Sequence, residues 1–517
     1  MKKSFKKLLA LGLVLVMAVS CVACGSKEEA ADAPAEETAT EKKTEVSVRV
    51  SDGLITLDPF NWSMDSDHNI ISNIYDTLYM MDDDTNEIPC LATDYVVGDD
   101  GLSYTFTLRE GVVFSNGDPL TVNDVKYSIE RYMTSAAQSR NVAGIESVDV
   151  DEAANTVTLN LSAPTPGLID GLTRVAIANQ KFVEENMDEN GMLGYNACGT
   201  GPFMYDSHIQ DVSCSIVANP NYWGTAPSLT KVNFMVVTDD STALTALQAG
   251  DLDIARLTID SWDNLVASGQ VNTAEPARNH VTYITLNTSK APFDNKLLRQ
   301  AVACATNKED INLMTQNGKA VVTDTFATPF MVGAPDVKTA YSYDVERAKA
   351  LLAEAGYPDG IDVGELQVLS GGGYLADSGV CLEQQLAEVG ITCKVVMLEA
   401  NTLLSNLMEA NNYTIATMGQ TNTYDMSWMS TYFGSEHVGG LNMAQYSNPE
   451  VDAMLAEANT CTDPEKRVEL YEQLLVYLDE ECVYVPIYNV TNKVAWAKGL
   501  NYEPTLRPTL YTNVSWE

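Results

Sequence analysis

The sequence predicts an α/β fold with mixed sheets, on three observations. Strand and helix signals alternate along the whole length, helix starts carry explicit capping residues, and no short repeat interrupts the pattern.

The elements follow in order. "LSYTFTLREGVVF" (102–114) alternates apolar and polar residues with period two, which predicts a strand. "TVNDVKYSIERYM" (121–133) opens with Thr121 as N-cap and Asp124 three residues on, a variant of the capping box. "NTVTLNLSAP" (155–164) predicts another strand. "STALTALQAGDLDIARL" (241–257) reads as a helix, a stop at Gly250 and a strand. "FDNKLLRQAVACAT" is expected to start at an Asp294 cap and to bury the thiol of Cys304. "YDVERAKALLAEAGYPDG" (343–360) is a capped amphipathic helix ended by Gly356 and Pro358. "NPEVDAMLAEANT" and "DPEKRVELYEQLLVYLDEE" each place Pro at the first helical position after an Asn or Asp cap. In the second, Val468, Tyr471, Leu474, Leu475 and Leu478 share one apolar face.

The N-terminus reads differently. Lys2, Lys3, Lys6 and Lys7 precede an uncharged apolar run from Leu8 to Ser20. A span needs roughly 20 apolar residues, so residues 1–23 read as a secretory signal. Cys21-Val22-Ala23-Cys24 resembles a bacterial lipobox, with Cys21 where Leu is usual; the other reading is a plain signal peptide. The resemblance implies cleavage before Cys24 and lipid on that residue, which anchors the chain to the outer face of the cell membrane. The CxxC spacing then carries no redox or zinc chemistry. Residues 24–45 are rich in Ala, Glu and Thr and lack aromatics, so they bury too little to offset their ordering entropy and read as a tether.

The remaining length calls for two or three domains. Apolar residues make up 45% of the chain, as in a soluble globular protein. The formal net charge is −40, which excludes a nucleic-acid partner. Eight cysteines follow Cys24, none at zinc-finger spacing, and an oxidising compartment permits disulfides among them. There is no HExxH, GxSxG or Walker loop, and His68, His208, His280 and His437 have no His or Cys neighbour at ligand spacing. No enzyme activity, metal or cofactor is expected. In "LQVLSGGGYLADSGVCLEQQLAEVG" (366–390) a strand runs through Gly371, Gly372 and Gly373 into a helix at Tyr374. That turn either offers backbone N–H groups to an anion or simply closes tightly. Trp62, Trp223, Trp428, Tyr424 and Tyr432 lie in or beside polar loops, as recognition aromatics do and as core residues also do; Trp223 fits a hairpin closure as well.

Several phrases in order resemble the bacterial extracellular solute-binding protein family 5, the dipeptide- and oligopeptide-type binding subunits of ABC transporters. They are "LDPFN" (57–61), "SYTFTLREGVVFSNGDPLTVNDVKYSIER" (103–131), "GTGPF" (199–203), "NPNYWG" (219–224), "LQAGDLDI" (247–254) and "LNTSKAPFDNKLLRQAV" (286–302). The resemblance implies a two-lobed, periplasmic-binding-protein-like fold. Lobe 1 takes residues 46–278 and 488–517, with an extra subdomain at about 73–190; lobe 2 takes 279–487. It also implies capture of short peptides in the interlobe cleft, delivery to an ABC permease with its ATPase, and a monomeric chain. The alternatives are another solute, such as an oligosaccharide or a metal chelate, and a surface peptide receptor for signalling.

In peptide-binding relatives an Asp in a Trp-x-x-Asp-Tyr-like phrase of the second lobe pairs with the free α-amino group. The matching phrase here is "GQTNTYDMSW" (419–428), with Gln420 at the Trp position, Thr423 at the Asp position and Tyr424 kept. Asp425 is therefore expected to replace the anchor, unless the ligand has no free amine there. Asn61, Trp62 and Ser63 are expected to face it from the first lobe. Gly372, Gly373, Tyr374 and Trp428 complete the expected binding set.

Overall fold

The strand Glu45–Val50 puts Val46, Val48 and Val50 on one buried face, while Arg49 on the other donates to the carbonyls of Val237 and Thr238. A strand covered on both faces belongs inside a sheet, and this one lies at the centre of seven. It pairs in parallel with Lys231–Val236 and with Ile254–Arg256. The order is Asn272–Ala274, Val494–Trp496, Ile254–Arg256, Glu45–Val50, Lys231–Val236, Ser213–Ala218, Phe203–Ile209. The structure is a computed structural model that describes residues 43–51, 54–258, 261–371, 373–409, 412–421 and 424–517. The signal segment, Cys24 and nearly all of the expected tether lie outside the described residues; the first sheet begins at Glu45.

A second sheet has six strands, in the order Val321–Val322, Tyr484–Thr491, Ala277–Leu286, Ile415–Thr421, Ile361–Leu369, Ile391–Leu398. Its middle strand, Ala277–Leu286, is antiparallel to both neighbours, whereas Ile361–Leu369 is parallel to both of its own. Leu298, Val302 and Cys304 of the helix Lys296–Ala305, and Leu382 and Leu386 of the helix Tyr374–Glu388, pack into its core. A third, antiparallel sheet of Ala92–Val97, Ser103–Leu108, Thr156–Leu161 and Ile145–Asp151 buries Phe106, Val157 and Leu159 in one core with the first sheet. Two lobes of mixed sheet, with a subdomain on the first, follow.

The chain leaves the first sheet after Ala274 and enters the second at Ala277; it returns between Thr491 and Val494. The Asn492 N–H donates to the Pro276 carbonyl at 2.8 Å, so the two crossings lie side by side. Lys319 of the second lobe reaches Glu275 in the first crossing at 2.8 Å and Asp263 at 2.6 Å.

The capping signals behave as local chemistry dictates. Thr121 and Asp124 form the reciprocal capping box, Gly250 ends its helix in the left-handed region at φ 83°, and Asn448 and Asp463 cap helices that begin at Pro449 and Pro464. Three expectations shift. The strand from 102 stops at Leu108, because the chain turns at Gly111 with φ 77°. Asn295, not Asp294, caps Lys296–Ala305, its side chain accepting from the Leu297 N–H at 3.0 Å. On the helix Pro464–Glu481, Arg467 joins Tyr471, Leu474, Leu475 and Leu478 on the buried face, and Val468 is half-buried. All eight described cysteines are free thiols, Cys304 among the most buried.

Candidate functional site

Because Ile415–Thr421 and Ile361–Leu369 run in parallel, their C-terminal ends reach the same edge of the second sheet. Crevices outside the carboxyl ends of strands are where α/β sheets bind ligands. One strand end delivers Gln420, Tyr424 and Asp425; the other delivers Gly373 and Tyr374. Across from them, in the first lobe, stands the short helix Leu168–Leu172 with Gly167 as N-cap.

The lobes touch at Tyr424. Its N–H donates to Asp170 Oδ2 at 3.3 Å and its hydroxyl to the Leu506 carbonyl at 2.9 Å. The Arg507 guanidinium lies 3.8 Å over its ring. Next to it, Asp425 packs directly on Gly167: a Cβ at that glycine would lie 2.5 Å from Asp425 Cγ. The arrangement is a closed cleft.

Asp425 is buried, and its charge is already matched. Arg467 Nη1 donates to Oδ2 and Nη2 to Oδ1, both at 2.8 Å, and the Ser427 N–H also donates to Oδ1 at 2.8 Å. Burial pushes the Asp425 carboxyl up, but the Arg467 fork outweighs it and holds the group below the usual carboxylate range. The carboxylate expected to take a ligand ammonium thus already accepts a bidentate guanidinium from within the second lobe.

On the first-lobe wall, Asp170 is buried, and its Oδ1 has no hydrogen-bond partner. Burial, opposed by the charge of Arg174, raises its pKa. Trp62 stacks on His68 with centroids 4.2 Å apart and planes 10° from parallel. The Trp62 carbonyl accepts from Gln138 Nε2 at 2.6 Å, and its indole N–H is buried without an acceptor. Burial first, then the charge of Arg174, lower the His68 pKa to about 3, so this ring is neutral. Asn61 is engaged within its own loop, which it braces by donating from Nδ2 to Asp58 Oδ2 at 3.0 Å. Ser63 is exposed.

On the second-lobe wall, the Tyr374 hydroxyl lies 3.2 Å from His280 Nε2, and His280 Nδ1 lies 3.1 Å from Thr421 Oγ1. Burial, then Arg278, lower His280 to about 3, and burial pushes Tyr374 up to about 12. The trio is uncharged: one ring nitrogen donates and the other accepts. Gly373 caps the following helix at φ 49°, a conformation that side-chain-bearing residues rarely adopt. Gln420 is half-buried in its strand opposite Val281. Trp428 is packed rather than presented: it meets Tyr432 at 4.8 Å and Phe326 at 5.5 Å, and its N–H points to Met331 Sδ. Trp223 is fixed within the first lobe by Asp76 and Arg109. Gly372 and Thr423 lie outside the described residues.

Sequence reasoning missed Gly167, Asp170, Arg174, Arg467 and Arg507. Only Arg467 carried a signal: a cation in register with an apolar helical stripe, four residues before Tyr471. The others come from loops and a short helix far from Tyr424 in sequence.

Residues 86–440 match the model of "Bacterial extracellular solute-binding proteins, family 5 Middle". The chain is 28% identical over 428 residues to heme-binding protein A of Haemophilus influenzae, covering 77% of this chain and 78% of that protein. It is 27% identical over 476 residues to the glutathione-binding protein GsiB of Salmonella typhi, covering 88% and 91%. The crystal structure of the ABC transporter substrate-binding protein CtaP from Listeria monocytogenes superposes with a TM-score of 0.84 at 22% identity, covering 92% of this chain and all of that one. DppA from Helicobacter pylori, in complex with the peptide STSA, superposes at 0.77 with 23% identity, covering 92% and 98%. The architecture and the matched span agree, and the chain belongs to the bacterial extracellular solute-binding proteins of family 5.

Proposed function

We propose that this chain is the capture subunit of an ABC importer, taking a short peptide or peptide-like solute into the cleft between its lobes and presenting it to a membrane permease. The observation that carries the reading is the seating of Tyr424 and Asp425 on Gly167 and Asp170. A ligand enclosed there touches both lobes only when they are closed, so binding favours closure. The paired crossings at Pro276 and Asn492 are the natural hinge. The chemistry is binding rather than catalysis, since the neutral His280 and His68 and the paired Asp425 supply neither a poised base nor a nucleophile.

The pairing of Asp425 with Arg467 favours a second form of the reading, in which the solute offers no free α-amine to the 424–425 loop. The relative named for heme fits that latitude in ligand. Cys24, with lipid attached, would hold the protein beside its permease on the outer face of the cell membrane; among the described residues no helix is long and apolar enough to cross a membrane. The test is native mass spectrometry of protein purified from its own cells, with acyl analysis of the Cys24 peptide. A co-purifying peptide or peptide conjugate and an acylated Cys24 support the reading. A bound sugar moves the protein to another solute class, and an unmodified Cys24 removes the anchor.

A further inference from the structure

Four side chains on the second-lobe wall form one line of hydrogen bonds. Arg278 Nη2 donates to Thr421 Oγ1 at 3.4 Å, Thr421 Oγ1 lies 3.1 Å from His280 Nδ1, and His280 Nε2 lies 3.2 Å from the Tyr374 hydroxyl. The strand Ile415–Thr421 makes room for the ring at its centre. A Cβ at Gly419 would lie 2.5 Å from His280 Nε2, so glycine is what lets the imidazole lie across that strand. Asn489 Nδ2 holds the His280 carbonyl at 2.9 Å from the other side of the sheet. The imidazole is buried, whereas Tyr374 is half-buried at the strand ends that open on the cleft.

A neutral imidazole has one donor and one acceptor, so the line runs in one direction only. The Arg278 cation stands beyond Thr421, on the Nδ1 side of the ring. Side-chain dipoles orient in the field around them, which turns the bare nitrogen toward the guanidinium and places the proton on Nε2. Thr421 then accepts from Arg278 and donates to Nδ1, and Nε2 donates to the Tyr374 oxygen. Each bond polarises the next. The Tyr374 O–H is left without an acceptor, because among the described residues His280 is its one hydrogen-bond partner. We infer that the Tyr374 hydroxyl donates a hydrogen bond to an acceptor on the solute, a carbonyl or like oxygen, and that His280 is the positioning residue that fixes this polarity. The opposite tautomer would make Tyr374 an acceptor and select a donor on the solute instead. The inference rests on the solute-capture reading and adds to it the polarity that the second-lobe wall presents.

The test has two arms. Ring-nitrogen chemical shifts of isotope-labelled protein read the tautomer directly, with the His280 signals assigned by their loss in His280→Gln. The proton should sit on Nε2; a proton on Nδ1 overturns the inference. The second arm is calorimetry on stripped and refolded protein with trialanine, N-acetyltrialanine and glutathione as probes. Tyr374→Phe removes only the hydroxyl and should weaken the best-bound probe by about tenfold, the effect of one well-made hydrogen bond. His280→Leu should weaken it to a similar degree, and the double variant should lose little more than either, since the two residues act as a unit. His280→Gln, whose amide supplies a donor for Tyr374 and an acceptor for Thr421, should restore most of the affinity, which a merely space-filling role for the ring does not predict. Unchanged binding in Tyr374→Phe overturns the inference, as do fully additive losses in the double variant. Binding of none of the three probes, with the proton found on Nε2, supports the polarity of the wall while removing the peptide reading.

Discussion

Both carboxylate oxygens of Asp425 accept from Arg467 at 2.8 Å, and the pair is buried under the Cα of Gly167 from the opposite lobe. One ion pair thus braces the second-lobe loop and forms the surface on which the first lobe closes.

Removing one partner leaves the other charge buried. Asp425→Asn should destabilise the protein by about 3–5 kcal/mol, since an uncompensated interior guanidinium is costly. The midpoint of urea unfolding is the measurement. Replacing both residues by apolar groups of similar volume, Asp425→Leu with Arg467→Met, should recover most of the loss. Equal stability of Asp425→Asn and wild type would show that the pair is open to water.

Gly167 has no room for a side chain in the closed form. Gly167→Val should leave the fold intact, because the clash at 2.5 Å arises only against the other lobe. It should hold the cleft open, speeding solute dissociation by at least tenfold in stopped-flow measurements. Unchanged dissociation would mean that closure does not bring these two residues together.

Acid should weaken the fold through His280. Its folded-state pKa of about 3 lies below the 6.5 of the unfolded chain. Between these values the unfolded state binds more protons, so stability falls as pH drops below about 6.5 and is level above it, as far as this group decides. Urea midpoints at pH 8, 6.5 and 5 measure the slope. His280→Gln, which keeps a donor and an acceptor between Tyr374 and Thr421, should make it shallower. An identical slope in the variant would assign the acid sensitivity elsewhere, His68 being the other ring held near 3.

What the sequence disclosed was what short-range chemistry decides. Thr121 with Asp124, Asn448 before Pro449 and Asp463 before Pro464 mark helix starts within a few residues, and the structure keeps them. The slip from Asp294 to Asn295 is a choice between adjacent side chains that both suit a cap. The fate of Asp425 was of another kind. Its partner lies 42 residues away on a separate helix, and Asp170 lies 254 residues from the Tyr424 N–H it accepts. Aromatic residues in polar loops read alike whether they line a cleft or pack: Trp62 stacks near Arg174's field, whereas Trp428 closes an aromatic core with Phe326 and Tyr432.

The central claim is that the protein works by closing its lobes on a solute. Small-angle scattering on stripped protein, before and after saturation with whatever co-purifies from the native cells, tests it most directly, with calorimetry confirming saturation. The account predicts a fall in radius of gyration and a final curve that matches the arrangement in which Tyr424 meets Asp170. A saturated protein whose radius of gyration does not change would contradict it.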